Sequence, residues 1–161
     1  MTQAFKRRLV REQILQILYA YEMNKDSLSQ LMNELNKDIN SSADREFAGK
    51  LIHEVILHKL DLDNLIRQRV DNWEMNRIAL IDKILLRMGL CELLYFPDIP
   101  PKVSINESIE IAKEFSTSGS GKFINGILDA ILSNLKESGK LNKSGRGLVE
   151  ESMTKNSAKN N

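Results

Sequence analysis

The sequence predicts an all-α fold of about seven helices in two packed lobes, and three observations carry that prediction. Apolar residues recur at helical spacing through most of the chain. Its three prolines all fall between Phe96 and Lys102, so nothing breaks a helix elsewhere. Alternating β-branched runs and hairpin turns are absent. With 161 residues, 42% hydrophobic and 28% charged, the chain is one soluble domain by size and can bury a real core.

The first helix is expected over residues 1–22. Val10, Ile14, Ile17, Leu18 and Tyr21 share its buried face, and Lys6, Arg7, Arg8 and Arg11 crowd its start. Arg8, Arg11 and Tyr19 fall within an arc of about 80° on the flank of that face. Basic groups beside an aromatic ring can serve as a platform for single-stranded RNA. Equally, Tyr19 can be half-buried core and the arginines a solvated helix end. The residues alone leave both open.

Residues 24–40 give a weaker amphipathic segment around Leu28, Leu31, Leu35 and Ile39. Ser41 to Asp44 then reads as the start of a third helix that turns Phe47, Leu51, Ile52 and Val55 inward. His53 and His58 lie about 140° apart on it, too far round to close on one metal ion. They read as surface or boundary histidines. A fourth helix is expected over residues 60–70, and Trp73 reads as a plug between the two lobes. The fifth, over residues 76–96, is the longest. Asp82, Lys83 and Arg87 interrupt its apolar run and read as a charged exposed face.

Residues 99–132 hold most of the chemistry that looks out of place. Pro100 and Pro101 set a helix start, and Ser104 with Glu107 has capping-box spacing. The pattern breaks from Ser116 to Gly121; Ser120 reads as the cap of a last helix whose stripe runs from Phe123 to Leu135. That helix contains Asn125-Gly126, a turn dipeptide, and glycine inside a helix costs roughly 1 kcal/mol. Gly126 lets another helix approach closely, or Asn125 offers its amide to a ligand on the exposed side, and both can hold. The domain is expected to end at residue 138, with residues 139–161 a disordered polar tail in which Lys140, Lys143 and Arg146 attract phosphate weakly.

Composition excludes several classes. The net charge of +1 means that any nucleic-acid role rests on a local patch. The single cysteine, Cys91, implies no disulfide framework and suits a reducing cytoplasm. The greasiest window, residues 78–96, carries Asp82, Lys83, Arg87 and Glu92 and is no membrane span; no secretory leader is expected. Phosphate loops, dinucleotide turns, zinc spacings and nucleophile–base pairs are absent, so neither an enzyme nor a cofactor is expected. Glu107 and Glu110 are spaced like paired carboxylates but lack the other parts of such a site. A DNA-reading helix-turn-helix lacks its basic recognition helix.

Four strings now point one way. I-P-x-K-V-x-I-N-E-x-I-E-I-A-K-x-F from Ile99 is followed by S-x-K-F-I-N-G-I-L-D from Ser120. R-R-x-x-R-E-x-x-L-Q-x-L-Y runs from Arg7 to Tyr19, and W-x-x-x-R-I-x-x-I-D-K-x-L-L-R-x-G-x-x-E-L from Trp73 to Leu93. Together, in family order over most of residues 5–135, they resemble the NusB family of bacterial transcription antitermination factors.

The resemblance implies an RNA-binding protein of the cytoplasm. It would bind boxA-type leader RNA jointly with NusE, a small-subunit ribosomal protein, and help RNA polymerase resist termination, notably on ribosomal RNA operons. It gives Arg7, Arg8 and Arg11 to phosphates, Tyr19 and Phe123 to bases, and makes Lys122 and Asn125 further RNA contacts. It assigns Asp82, Arg87 and Glu92 to the protein-partner surface. Gly119 departs from several family members, which carry an acid before the serine of S-x-K-F. The alternative is a helical adaptor without RNA contact, toward which the near-zero net charge leans.

Overall fold

The computed structural model describes residues 3–149, with side chains from residue 6 onward. Among them are eight α-helices and no strand. These are α1 (Gln3–Asn24), α2 (Leu28–Asp38), α3 (Ser42–Leu57), α4 (Lys59–Arg67), α5 (Asn72–Arg77), α6 (Leu80–Tyr95), α7 (Pro101–Phe115) and α8 (Ser120–Glu137). A 3-10 turn, Gly145–Leu148, follows. None of these helices is long and apolar enough to cross a membrane.

The molecule is built around α6, which packs against α1, α3 and α4 on one side and α7 and α8 on the other. A helix surrounded in this way is apolar all round, and α6 buries Ile84, Leu85, Leu86, Met88, Leu90, Cys91 and Leu93 almost completely. The core is therefore continuous across both lobes. The charged interruptions of α6 are buried too: Asp82, Arg87 and Glu92 all lie inside, where an exposed face was expected. A helix with neighbours on every side has no exposed face for them.

The expected fifth helix is two. Its chain turns extended at Ile78 and Ala79, which separates α5 from α6. α5 opens on a true capping box: Asp71 accepts from the Glu74 N–H at 2.7 Å, and the Asp71 N–H donates to Glu74 at 3.0 Å. Trp73, in its first turn, is 62% exposed and plugs nothing. The Ser104–Glu107 spacing is not a cap, because α7 already begins at Pro101 with Pro100 as its N-cap. Ser120 is not one either; Gly119 holds the N-cap position of α8.

Gly126 is exposed, and a Cβ there would meet nothing within 4 Å, so close helix approach does not explain it. The tight glycines are elsewhere: a Cβ at Gly89 would lie 3.0 Å from both Leu128 and Ser108. The chain also continues to pack beyond residue 138. Lys143 donates to the carbonyls of Glu92 at 2.9 Å and Phe96 at 2.8 Å, closing the C-terminal end of α6. The Ser144 N–H donates to the Pro97 carbonyl at 3.0 Å. Gly147 is buried against that carbonyl, where any side chain would clash. Thus residues 140–149 are a docked strap, not a disordered tail; residues 150–161 lie outside the described residues.

Candidate nucleic-acid interface

The arginines of α1 divide by exposure. Arg11 points inward, with its side chain 4% exposed, and grips Glu92 with two hydrogen bonds of 3.0 and 2.7 Å. Ser104 donates a third hydrogen bond to Glu92 at 3.0 Å, which ties α1, α6 and α7 together. Burial alone would lower the Arg11 pKa, but the charge and hydrogen bonds of Glu92 outweigh it and raise the pKa. Arg11 is a structural staple and cannot hold a phosphate, contrary to the expectation from sequence. The same reason removes Glu92, 1% exposed, from any partner surface.

Arg8 and Arg7 sit nearer solvent. Arg8 forms a two-pronged pair with Glu107 at 2.7 and 3.0 Å, and that hydrogen bonding is the main reason its pKa is raised. Its side chain is 33% exposed. Arg7 donates to Asp44 at 2.9 Å and lies 4.3 Å above the Phe47 ring. Both retain guanidinium N–H groups beyond these bonds, since the group carries five.

Two more expected partner contacts are internal. Arg87 grips Asp63 at 2.7 and 3.1 Å and donates to Glu22 at 3.0 Å, which locks α6 to α4 and α1. Asp82 accepts hydrogen bonds from Ser116 at 2.7 Å and Ser120 at 2.8 Å. This clasp fixes the α7–α8 connection against the first turn of α6. Ser120 is thereby drawn into the interior and leaves Lys122, Phe123 and Asn125 on the outer side of α8.

What that clasp positions is an exposed aromatic surface. Phe123, 37% exposed, and Trp73 line a shallow depression of about 430 Å3, together with Arg77, Ile78, Thr117 and Gly119. The Arg77 guanidinium stands 4.0 Å from the Trp73 ring centre, a cation–π contact. Tyr19, 38% exposed, lines a second, smaller depression with Gln16, Ile81 and Phe115. Both depressions border the start of α6; the first also borders the α7–α8 connection and the second the last residue of α7. Exposed rings with adjacent cations suit unstacked bases on a phosphate chain. The positive end of the α8 dipole opens here as well: its first turn has no acid and carries Lys122.

The NusB family model matches residues 8–133. The chain belongs to the NusB family. A NusB described as a transcription antitermination protein, from Chloroherpeton thalassium, is 48% identical over 149 residues, covering 89% of this chain and 69% of that one. Another with the same description, from Salinibacter ruber, is 47% identical over 146 residues, covering 89% and 91%. Among solved structures, T. maritima NusB is 35% identical with a TM-score of 0.73, covering 79% of this chain and 90% of its own. A complex of NusB and NusE with dsRNA shares the fold at 22% identity and a TM-score of 0.71.

Within the span matched by the NusB family, the charged residues Arg11, Asp82, Arg87, Glu92 and Glu107 are buried scaffold. Sequence reasoning missed Trp73 and Arg77 as surface. The signal was present: D-x-x-E at Asp71 starts a helix at residue 72 and sets Trp73 and Arg77 four apart on one face.

Proposed function

We propose that this member of the NusB family is an RNA-binding transcription antitermination factor that takes single-stranded boxA-type RNA together with NusE. Its place is in the antitermination complex of RNA polymerase, in the cytoplasm, notably on ribosomal RNA operons. It is a binding protein and not an enzyme. The relatives described as transcription antitermination proteins support this reading, as does the shared fold of the NusB–NusE–dsRNA complex. The single observation that carries it is the two exposed rings, Tyr19 and Phe123, in depressions that both border the start of α6, with Lys122 next to Phe123 on a helix whose start the Asp82 clasp pins.

In this reading Tyr19 and Phe123 stack bases, Lys122, Arg8 and Arg7 hold phosphates, and Asn125 reads a base edge. Asp82 acts through the connection that it pins. Gly119 leaves the α8 dipole unopposed, which favours a phosphate there over a chain with an acid at that position.

The test is a set of titrations against boxA-like and scrambled oligonucleotides, with and without NusE, over a range of salt. Three neutralised phosphates predict a slope of log affinity against log salt of about −2. Lys122→Ala and Arg8→Ala should each flatten it. Phe123→Ala should weaken binding by about 1–3 kcal/mol and leave the slope unchanged. Salt-independent binding, or equal affinity for the scrambled oligonucleotide in the presence of NusE, would sink the reading in favour of an adaptor without RNA contact.

A further inference from the structure

A second cavity lies on a different face of α1. Leu18, Tyr21, Glu22 and Lys25 line it, clustering about 110° around the helix from Tyr19. Together with α3 and α6 they enclose a cleft of about 420 Å3, within the roughly 300–1,000 Å3 of small-molecule sites. Its walls are apolar, formed by Leu18, Val55, Ile56 and Ile84 and one ring, Tyr21. Its polar end gathers three cations, Lys25, Lys59 and Arg87.

Those cations are unequally satisfied. Arg87 is held on one side by both oxygens of Asp63 and on the other by Glu22. Glu22 turns its second oxygen to Lys59 at 3.3 Å. Two carboxylates thus face three cations, and the surplus charge falls on Lys25, whose ammonium has no partner among the described residues. Lys25 is also the only non-glycine residue with positive φ among the described residues, at 53°. It stands just past the end of α1, a position that glycine fills best. Lys25 stands exposed at the rim of the cleft, where its ammonium can meet an entering anion without breaking an existing ion pair.

We infer that this cleft binds a small organic anion, an aryl or branched aliphatic carboxylate or sulfonate, with its apolar body against Tyr21 and Ile56 and its charge on Lys25 and Lys59. The RNA surface plays no part in it, so the inference stands independently of the RNA reading. An apolar body fills space that water occupies poorly, and the anion supplies the missing negative charge.

The test uses 8-anilinonaphthalene-1-sulfonate as the anionic probe and N-phenyl-1-naphthylamine as its neutral counterpart. The anionic probe should bind saturably at one per chain and shift the methyl resonances of Val55, Ile56 and Ile84. It should bind at least tenfold more tightly than the neutral amine. Lys25→Gly should weaken the anionic probe at least fivefold, and Lys25→Gly with Lys59→Gln more than tenfold, with neutral binding unchanged. Lys25→Gly relieves the left-handed backbone, so this variant should melt no lower than the parent and keep its RNA affinity; its loss of probe is then loss of recognition, not of fold. Equal affinity for the two probes overturns the inference. So do anionic binding that survives both substitutions, methyl shifts confined to the Trp73–Phe123 depression, and a concentration-dependent dimer that excludes the probe.

Discussion

Arg11 and Glu92 illustrate how a charge motif misleads at the scale of single residues. In sequence, Arg11 belongs to a basic cluster; in space it is an arginine whose counterion waits on α6, with Ser104 completing the carboxylate's shell. Removing one member of a buried pair leaves the other unpaired, which costs about 3–5 kcal/mol. Urea denaturation of Arg11→Ala should show a loss of that size, whereas Arg8→Ala, in a half-exposed pair with Glu107, should lose about 1 kcal/mol or less. Equal losses would mean that Arg11 is not the staple described. The same logic covers Arg87, bound by Asp63 and Glu22: reversing its charge would disrupt the core rather than report on a partner surface.

Among the elements, α6 and α8 meet closely at one glycine, whereas another glycine of α8 faces open space. Gly89 on α6 sits against Leu128 of α8 and Ser108 of α7. A methyl group there should cost about 1–3 kcal/mol through overpacking, despite the gain of about 1 kcal/mol in helix propensity. Gly126 on α8 faces open space, so Gly126→Ala should instead stabilise by about 0.5–1 kcal/mol. Thermal unfolding of the two variants tests the opposed signs; a stabilised Gly89→Ala would show that the contact can yield. In sequence Asn125-Gly126 drew attention because it violates helix propensity, while Gly89 sits unremarked in an apolar run. Propensity is a local property and close approach is not.

For the molecule as a whole, the strap and the central helix decide where the folded unit ends. Lys143 closes the carbonyls at the end of α6, and Leu141 packs against the core. A chain cut after Ser138 should therefore lose about 2 kcal/mol and melt about 4–8 °C lower, while a cut after Val149 keeps these contacts. Matched calorimetric scans of the two truncations make the comparison; identical melting would return the domain boundary to residue 138. The strap was illegible in sequence because its contacts are backbone carbonyls and a glycine cradle, which have no hydrophobic periodicity to read.

The sequence by itself determined the helical class, the approximate placement of most helices and the family, because periodicity and motif order are local and repeat along the chain. It also marked Tyr19, Lys122, Phe123 and Asn125, each of which lies on the surface. Tertiary structure alone decided which charges are surface and which are scaffold. Arg11, Asp82, Arg87 and Glu92 resemble any other charged motif residues until their partners are known: ion-pair partners 24 to 81 positions away for Arg11, Arg87 and Glu92, and serines 34 and 38 away for Asp82. A charge in water and a charge paired in the core have the same letter; only the fold sets the dielectric around it and brings the counterion that makes its burial tolerable.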